Sequence, residues 1–201
     1  MKCLILDILH TEGNLRFACI IEVGAILLDL ESGKRKTLID TLVFEDGFEP
    51  SRFRKSLIFQ KTDITPTEIL DAPDADEIFP QLESLIGKYG FTAFDVNNEL
   101  PYLASRGIVS LDEGWVHDCI QAKATEYWNK IIKEKAERER SKKWQQYITP
   151  AVELKEICGF LRIETSSQFR AATNAELEAQ ICYHLYKEGF WNRKNSPQLI
   201  F

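Results

Sequence analysis

Apolar positions along this chain follow first a strand-like and then a helical pattern, and the change between them outlines the elements. Residues 3–9 form a continuous apolar run broken only by Asp7, as expected of a central strand buried on both faces. Two further apolar runs, 18–30 and 36–44, flank Glu31-Ser32-Gly33-Lys34, a turn cluster that predicts an antiparallel hairpin. No strong periodicity follows until Thr65, a helix cap ahead of Pro66-Thr67-Glu68. Asp74 then introduces a helix in which Ile78, Leu82, Leu85 and Ile86 recur at helical spacing, with Pro80 tolerated in its early part. Residues 91–95 read as a short strand and Leu100 to Arg106 as the helix after it. The order β-β-β-α-β-α, closing in more helices, is that of a mixed sheet covered by helices.

Residues 117–147 depart from that plan. Ala124, Tyr127, Trp128, Ile131 and Ile132 make an apolar helix face, and the run from Lys133 to Lys143 then holds six cations against three anions. Glu126/Lys130 and Glu134/Arg138 stand four apart in the favourable order for helix-surface pairs. A solvated helix projecting past the core is the plain reading. Arg138, Arg140, Lys142 and Lys143 are its candidate contacts for phosphate or for a protein partner. Trp144, Tyr147 and Ile148 predict a return to apolar contact, and helices over 149–158 and about 173–187 complete the chain.

Composition narrows the class. The 201 residues suit one domain with a sizeable core, and 44% apolar with 28% charged residues describes a globular protein. A formal charge of −6 argues against a general nucleic-acid coat but leaves room for a local basic groove. Cys3, Cys19, Cys119, Cys158 and Cys182 are odd in number and scattered, which suits reduced core thiols. Met1 to Ile8 is too short, and too interrupted by Asp7, for a signal peptide or membrane span, so a cytoplasmic protein is expected.

Three stretches carry a resemblance. Leu4-Ile5-Leu6-Asp7-Ile8, Ile20-Ile21-Glu22-Val23-Gly24-Ala25 and Phe169-Arg170-Ala171-Ala172-Thr173-Asn174-Ala175 are similar in spacing to the DEDDh family of 3′→5′ exonucleases. These are ribonuclease H-like enzymes that include polymerase proofreading subunits. Thr62-Asp63-Ile64-Thr65-Pro66-Thr67-Glu68 with Asp71-Ala72-Pro73, Trp115-Val116-His117-Asp118 and Leu154-Lys155-Glu156-Ile157-Cys158 extend it over about residues 3–188. The resemblance implies an α/β domain over 1–190, ribonuclease H-like, with a mixed five-stranded central sheet flanked by helices. It also implies a charged helical insertion at about 129–147 and a C-terminal tail over 191–201.

In that family two Mg²⁺ ions about 4 Å apart activate water and stabilise the leaving oxygen. Four carboxylates hold them and a histidine serves as general base. Motif one is Asp-x-Glu: Asp7 matches the aspartate, while Leu9 stands at the glutamate, with Glu12 in the following loop as an alternative acid. Motif two places an aspartate before an apolar helix. Here Glu99 fits, its carboxylate about 1.5 Å further out, and Asp95 is the alternative. Motif three is His-x-x-x-x-Asp, and the matching positions are Phe169 and Asn174. His184 lies nearly three turns further on, as a surface or core histidine.

Asp7 and Glu99 thus carry about half the family's charge, enough for weakly bound Mg²⁺ or Mn²⁺ or none. The expected function is a pseudo-enzyme that binds nucleic-acid 3′ ends or a protein partner. The alternatives are a weakly active metal-dependent 3′→5′ exonuclease on DNA or RNA, and an interaction scaffold that binds no nucleic acid. Gln198-Leu199-Ile200-Phe201 resembles a shortened sliding-clamp docking peptide, although a tail packed on its own domain is the plainer expectation.

Overall fold

The structure, a computed structural model, describes residues 1–11, 15–109, 116–165 and 169–191. Glu12 and the Gln198–Phe201 peptide lie outside the described residues. Strands β1 (Lys2–His10), β2 (Ile20–Asp29) and β3 (Arg35–Leu42) form an antiparallel meander, and β4 (Phe91–Thr92) joins β1 in parallel, giving the order β3-β2-β1-β4. The sheet therefore has four strands among the described residues and not the expected five. Among the described residues, Val116 alone bridges Phe91 at the outer edge of β4. Nor does β4 run to residue 95, because the Ala93 and Phe94 carbonyls accept from the N–H groups of Ile120 and Gln121. The first turn of a helix takes the place of a ladder partner there.

Two short helices, α1 (Pro50–Phe53) and α2 (Leu57–Lys61), precede α3 (Pro66–Leu70) and α4 (Ala75–Tyr89). Thr65 and Glu68 close a reciprocal capping box at α3, and the Asp74 side chain accepts from the Asp76 N–H at α4. Helix α5 (Val96–Ser105) starts four residues earlier than its apolar spacing suggests, with the Asp95 carbonyl accepting from the Asn98 and Glu99 N–H groups.

Helix α6 (Ile120–Arg138) runs unbroken into the charged stretch, and a 3-10 turn (Lys142–Tyr147) folds back beside it. Trp128 Nε1 donates to the Tyr147 carbonyl, and Lys135 lies 3.9 Å over the Trp144 ring. Tyr147 and Ile148 stay exposed, so this return is made by hydrogen bonds and cation–π contact more than by apolar burial. Helix α7 (Leu154–Leu161) begins later than expected, since Thr149 pairs reciprocally with Asn129 and the Val152 N–H donates to Thr125. The last helix, α8, spans Ala171–Lys187.

Alternation along β1 divides the core. Leu4, Leu6 and Ile8 pack under α4 and α5, whereas Cys3 and Ile5 face α6, α7 and α8. Asp7 and Leu9 therefore belong to the α8 side. None of the five cysteines forms a disulfide, and no described helix is long and apolar enough to cross a membrane.

Candidate functional site

A cleft of about 580 Å³ opens at the end of β1, lined by Asp7, Leu9, Lys55, Lys61, Glu99 and Phe169 among others. Its geometry starts from the crossing of α8 over the sheet. Asp7 pairs with Gly24 and Leu9 with Glu22 across the β1–β2 ladder, so these four positions share one face. At Gly24 a Cβ would stand 2.3 Å from the Ala171 carbonyl carbon and the Ala172 nitrogen, so only glycine lets the helix come this close. Glu22, 0% exposed, holds the helix start: Oε2 accepts from the Ala171 N–H at 3.0 Å and Oε1 from Arg170 Nε at 2.7 Å. Burial pushes the Glu22 carboxyl up, and the Ala171 N–H and the Arg170 guanidinium pull it back.

That docking sets Asn174 beside β1, where its Nδ2 donates to Asp7 Oδ2 at 3.3 Å. Part of Asp7 faces the cleft, yet the surrounding protein mass pushes its carboxyl up to about 8, with Glu22 adding to the rise and Asn174 opposing it. Glu99 enters from α5. It is 6% exposed; Oε1 accepts from Asn98 Nδ2 at 3.3 Å, and among the described residues Oε2 has no hydrogen-bond partner. Burial and then the neighbouring Asp7 raise Glu99 well above the ordinary carboxylate range. Asp95, the alternative, is the N-cap residue of α5 and does not line the cleft. Glu99 is thus the acid brought into the cleft with Asp7.

A further acid, Glu178, has no place in the sequence motifs. It lies one turn beyond Asn174, buried, and its Oε2 accepts from the Phe94 N–H at 3.0 Å. Burial, Asp7 and Glu99 raise it well above the usual range. The sequence signal was there: an acid four residues after Asn174, inside an apolar helical run.

Leu9, Asn174 and Phe169, the other positions of the resemblance, carry no carboxylate or imidazole. Leu9 packs with Ile21, Phe53 and Ile69, Asn174 turns an amide N–H toward Asp7, and Phe169 stands 37% exposed at the cleft. Among the described residues no group of three His, Cys, Asp or Glu could hold a metal ion. Two carboxyl side chains, Asp7 and Glu99, line this cleft, fewer oxygen anions than a two-cation centre asks for. His184 sits away from the cleft, its Nε2 3.2 Å from the Tyr127 hydroxyl.

The expected cations lie elsewhere too. Arg138 ends α6, Arg140 takes a left-handed backbone with φ 48°, and Lys142 and Lys143 lie in the 3-10 turn, so none of the four lines the cleft. Lys55 and Lys61 do. Their sequence signal is charge and not period: Arg52, Arg54, Lys55 and Lys61 occur with no acid between Pro50 and Thr62.

Neither a family model nor a curated protein matches the sequence. Solved structures do match in fold. A full-length 3′-exonuclease aligns over 96% of this chain at 14% identity and TM-score 0.62, and the chain spans 62% of it. E. coli exonuclease I in complex with a dT13 oligonucleotide aligns over 92% of the chain at 13% identity and TM-score 0.62, with 40% of that enzyme covered. The nuclease domain of 3′hExo, a DEDDh family member bound to rAMP, aligns over 98% of the chain at 13% identity and TM-score 0.54, with 97% of it covered. The chain has the DEDDh-type exonuclease fold.

Proposed function

We propose that this protein binds the 3′ end of a nucleic-acid strand in the Asp7–Glu99 cleft and does not hydrolyse it efficiently. The observation that carries this reading is the hydrogen bond from Asn174 Nδ2 to Asp7 Oδ2, a donor where metal ligation asks for an anionic acceptor. Leu9 and Phe169 support it, since neither offers a ligand or a proton acceptor. Catalytic groups of this kind act as a unit, and the loss of one member costs orders of magnitude in rate. Nucleic acid is the favoured ligand because structures sharing the fold hold a dT13 oligonucleotide and rAMP. A cytoplasmic setting, where thiols stay reduced, suits five cysteines that form no disulfide.

The test is incubation with end-labelled single- and double-stranded DNA and RNA in Mg²⁺ or Mn²⁺, beside Asp7→Ala. Retention of the strand without shortening is expected. A second reading, weak hydrolysis with one cation at Asp7 and Glu99, draws on the unpartnered Glu99 Oε2. Metal-dependent shortening that vanishes in Asp7→Ala would establish it in place of the first. Absence of binding at low salt would instead indicate a protein-binding scaffold.

A further inference from the structure

A phosphate entering this cleft needs cations nearby, and the acidic side chains that line it, Asp7 and Glu99, supply none. Lys55 and Lys61 are the two lysines among the lining residues. Both are exposed, and among the described residues neither takes part in an ion pair. Their charge is uncommitted.

The segment that carries them is fixed in place. The Ser56 hydroxyl donates to the Thr11 carbonyl, tying the α1–α2 junction to the end of β1, and Phe53 is buried with Leu9 and Ile69. A segment already anchored loses less loop entropy on binding than a loose arm does. Leu57, 66% exposed, and Phe169 supply apolar surface to the same cleft, and an aromatic face there suits stacking on a base of any identity. The α1–α2 segment is also unlike the charged run near residue 140. Pro50–Thr62 contains four cations and no anion, whereas Lys133–Lys143 offsets half of its cations with glutamates.

We propose that Lys55 and Lys61 hold the phosphates of a single-stranded 3′ end at the cleft, with Phe169 against a base, so that binding needs no divalent cation. This rests on the reading of the cleft as a nucleic-acid site, and it adds the residues and the metal independence. The charged run around Lys142 and Lys143 then has no part in holding the strand end.

The test is titration of the full chain with a fluorescently labelled single-stranded oligonucleotide, in chelator and in Mg²⁺, over a series of salt concentrations. The wild-type protein is expected to bind equally in both. Lys55→Gln/Lys61→Gln should weaken binding about tenfold or more and reduce the slope of log affinity against log salt by about 1.4, two phosphate contacts at about 0.7 each. Lys34→Gln/Lys36→Gln, an equal charge change on the β2–β3 hairpin, should leave affinity near wild type. Circular dichroism of each variant checks that the fold is kept. Binding by Lys55→Gln/Lys61→Gln with wild-type affinity and slope, binding seen only with Mg²⁺, or a loss that appears with Lys142→Gln/Lys143→Gln instead, would each overturn the role of Lys55 and Lys61 while sparing the nucleic-acid reading. No binding by the folded wild-type protein at low salt would overturn both.

Discussion

Between an unfolded value near 3.8 and a folded value of about 8, the Asp7 carboxyl works against the fold as pH rises. The folded protein keeps a proton that the unfolded chain releases, so this contribution is most favourable at the acid end and is lost progressively through that window. Glu99 and Glu178 are raised as well and act in the same direction. Asp7→Asn removes the Asp7 share while keeping the shape of the side chain. Its midpoint of thermal unfolding should exceed that of the wild type by a margin that widens from about pH 5 to about pH 8. Thermal scans of both proteins across that range check this, and a constant or shrinking margin would contradict the assignment. At this scale the sequence was informative about identity and poor about environment. It sets Asp7, Leu9, Phe169 and Asn174 at the positions that carry the resemblance. It does not show that Glu22, Glu99 and Glu178 are buried, because burial depends on what other segments lay over them.

Gly24 and Gly87 show the difference at the level of elements. The close approach of α8 leaves no space for a Cβ at Gly24, whereas at Gly87 in α4 there is nothing within 4 Å. Gly24→Ala should destabilise the protein by about 3 kcal/mol or more, since the obstruction is backbone and cannot swing aside. Gly87→Ala should stabilise it by about 0.5 kcal/mol through the lower backbone entropy of alanine in a helix. Chemical denaturation of the two variants measures both signs at once. Capped helices were legible in advance: Thr65-Pro66 and Asp74 mark the starts of α3 and α4 through local chemistry. Helices α1 and α2 were not, because four or five residues cannot display a helical period. The start of α7 shifted because distant partners, Asn129 and Thr125, decide where the chain may coil.

For the whole molecule, the proposed function sets an exonuclease-type fold against a donor set that, on that proposal, is altered at Leu9, Asn174 and Phe169. Restoring the donors tests that proposal directly. The variant carrying Leu9→Glu, Asn174→Asp and Phe169→His should be less stable than the wild type in chelator, because it buries added acids without partners. It should recover with Mg²⁺ or Mn²⁺ by a larger rise in thermal midpoint than the wild type shows, because a ligand stabilises only the state that binds it. Equal metal responses in the two proteins would mean that the substitutions do not control cation binding. The sequence by itself determined the strands of the meander, the caps, the last helix and the letters at each motif position, since these rest on neighbours a few residues apart. Tertiary structure alone decided that four strands form the described sheet, that Glu99 and not Asp95 meets Asp7, and that Lys55 and Lys61 are the cations at the cleft. The reason is physical: these outcomes depend on where α8 crosses at Gly24 and where α1–α2 is tied to β1, contacts between segments far apart in the chain.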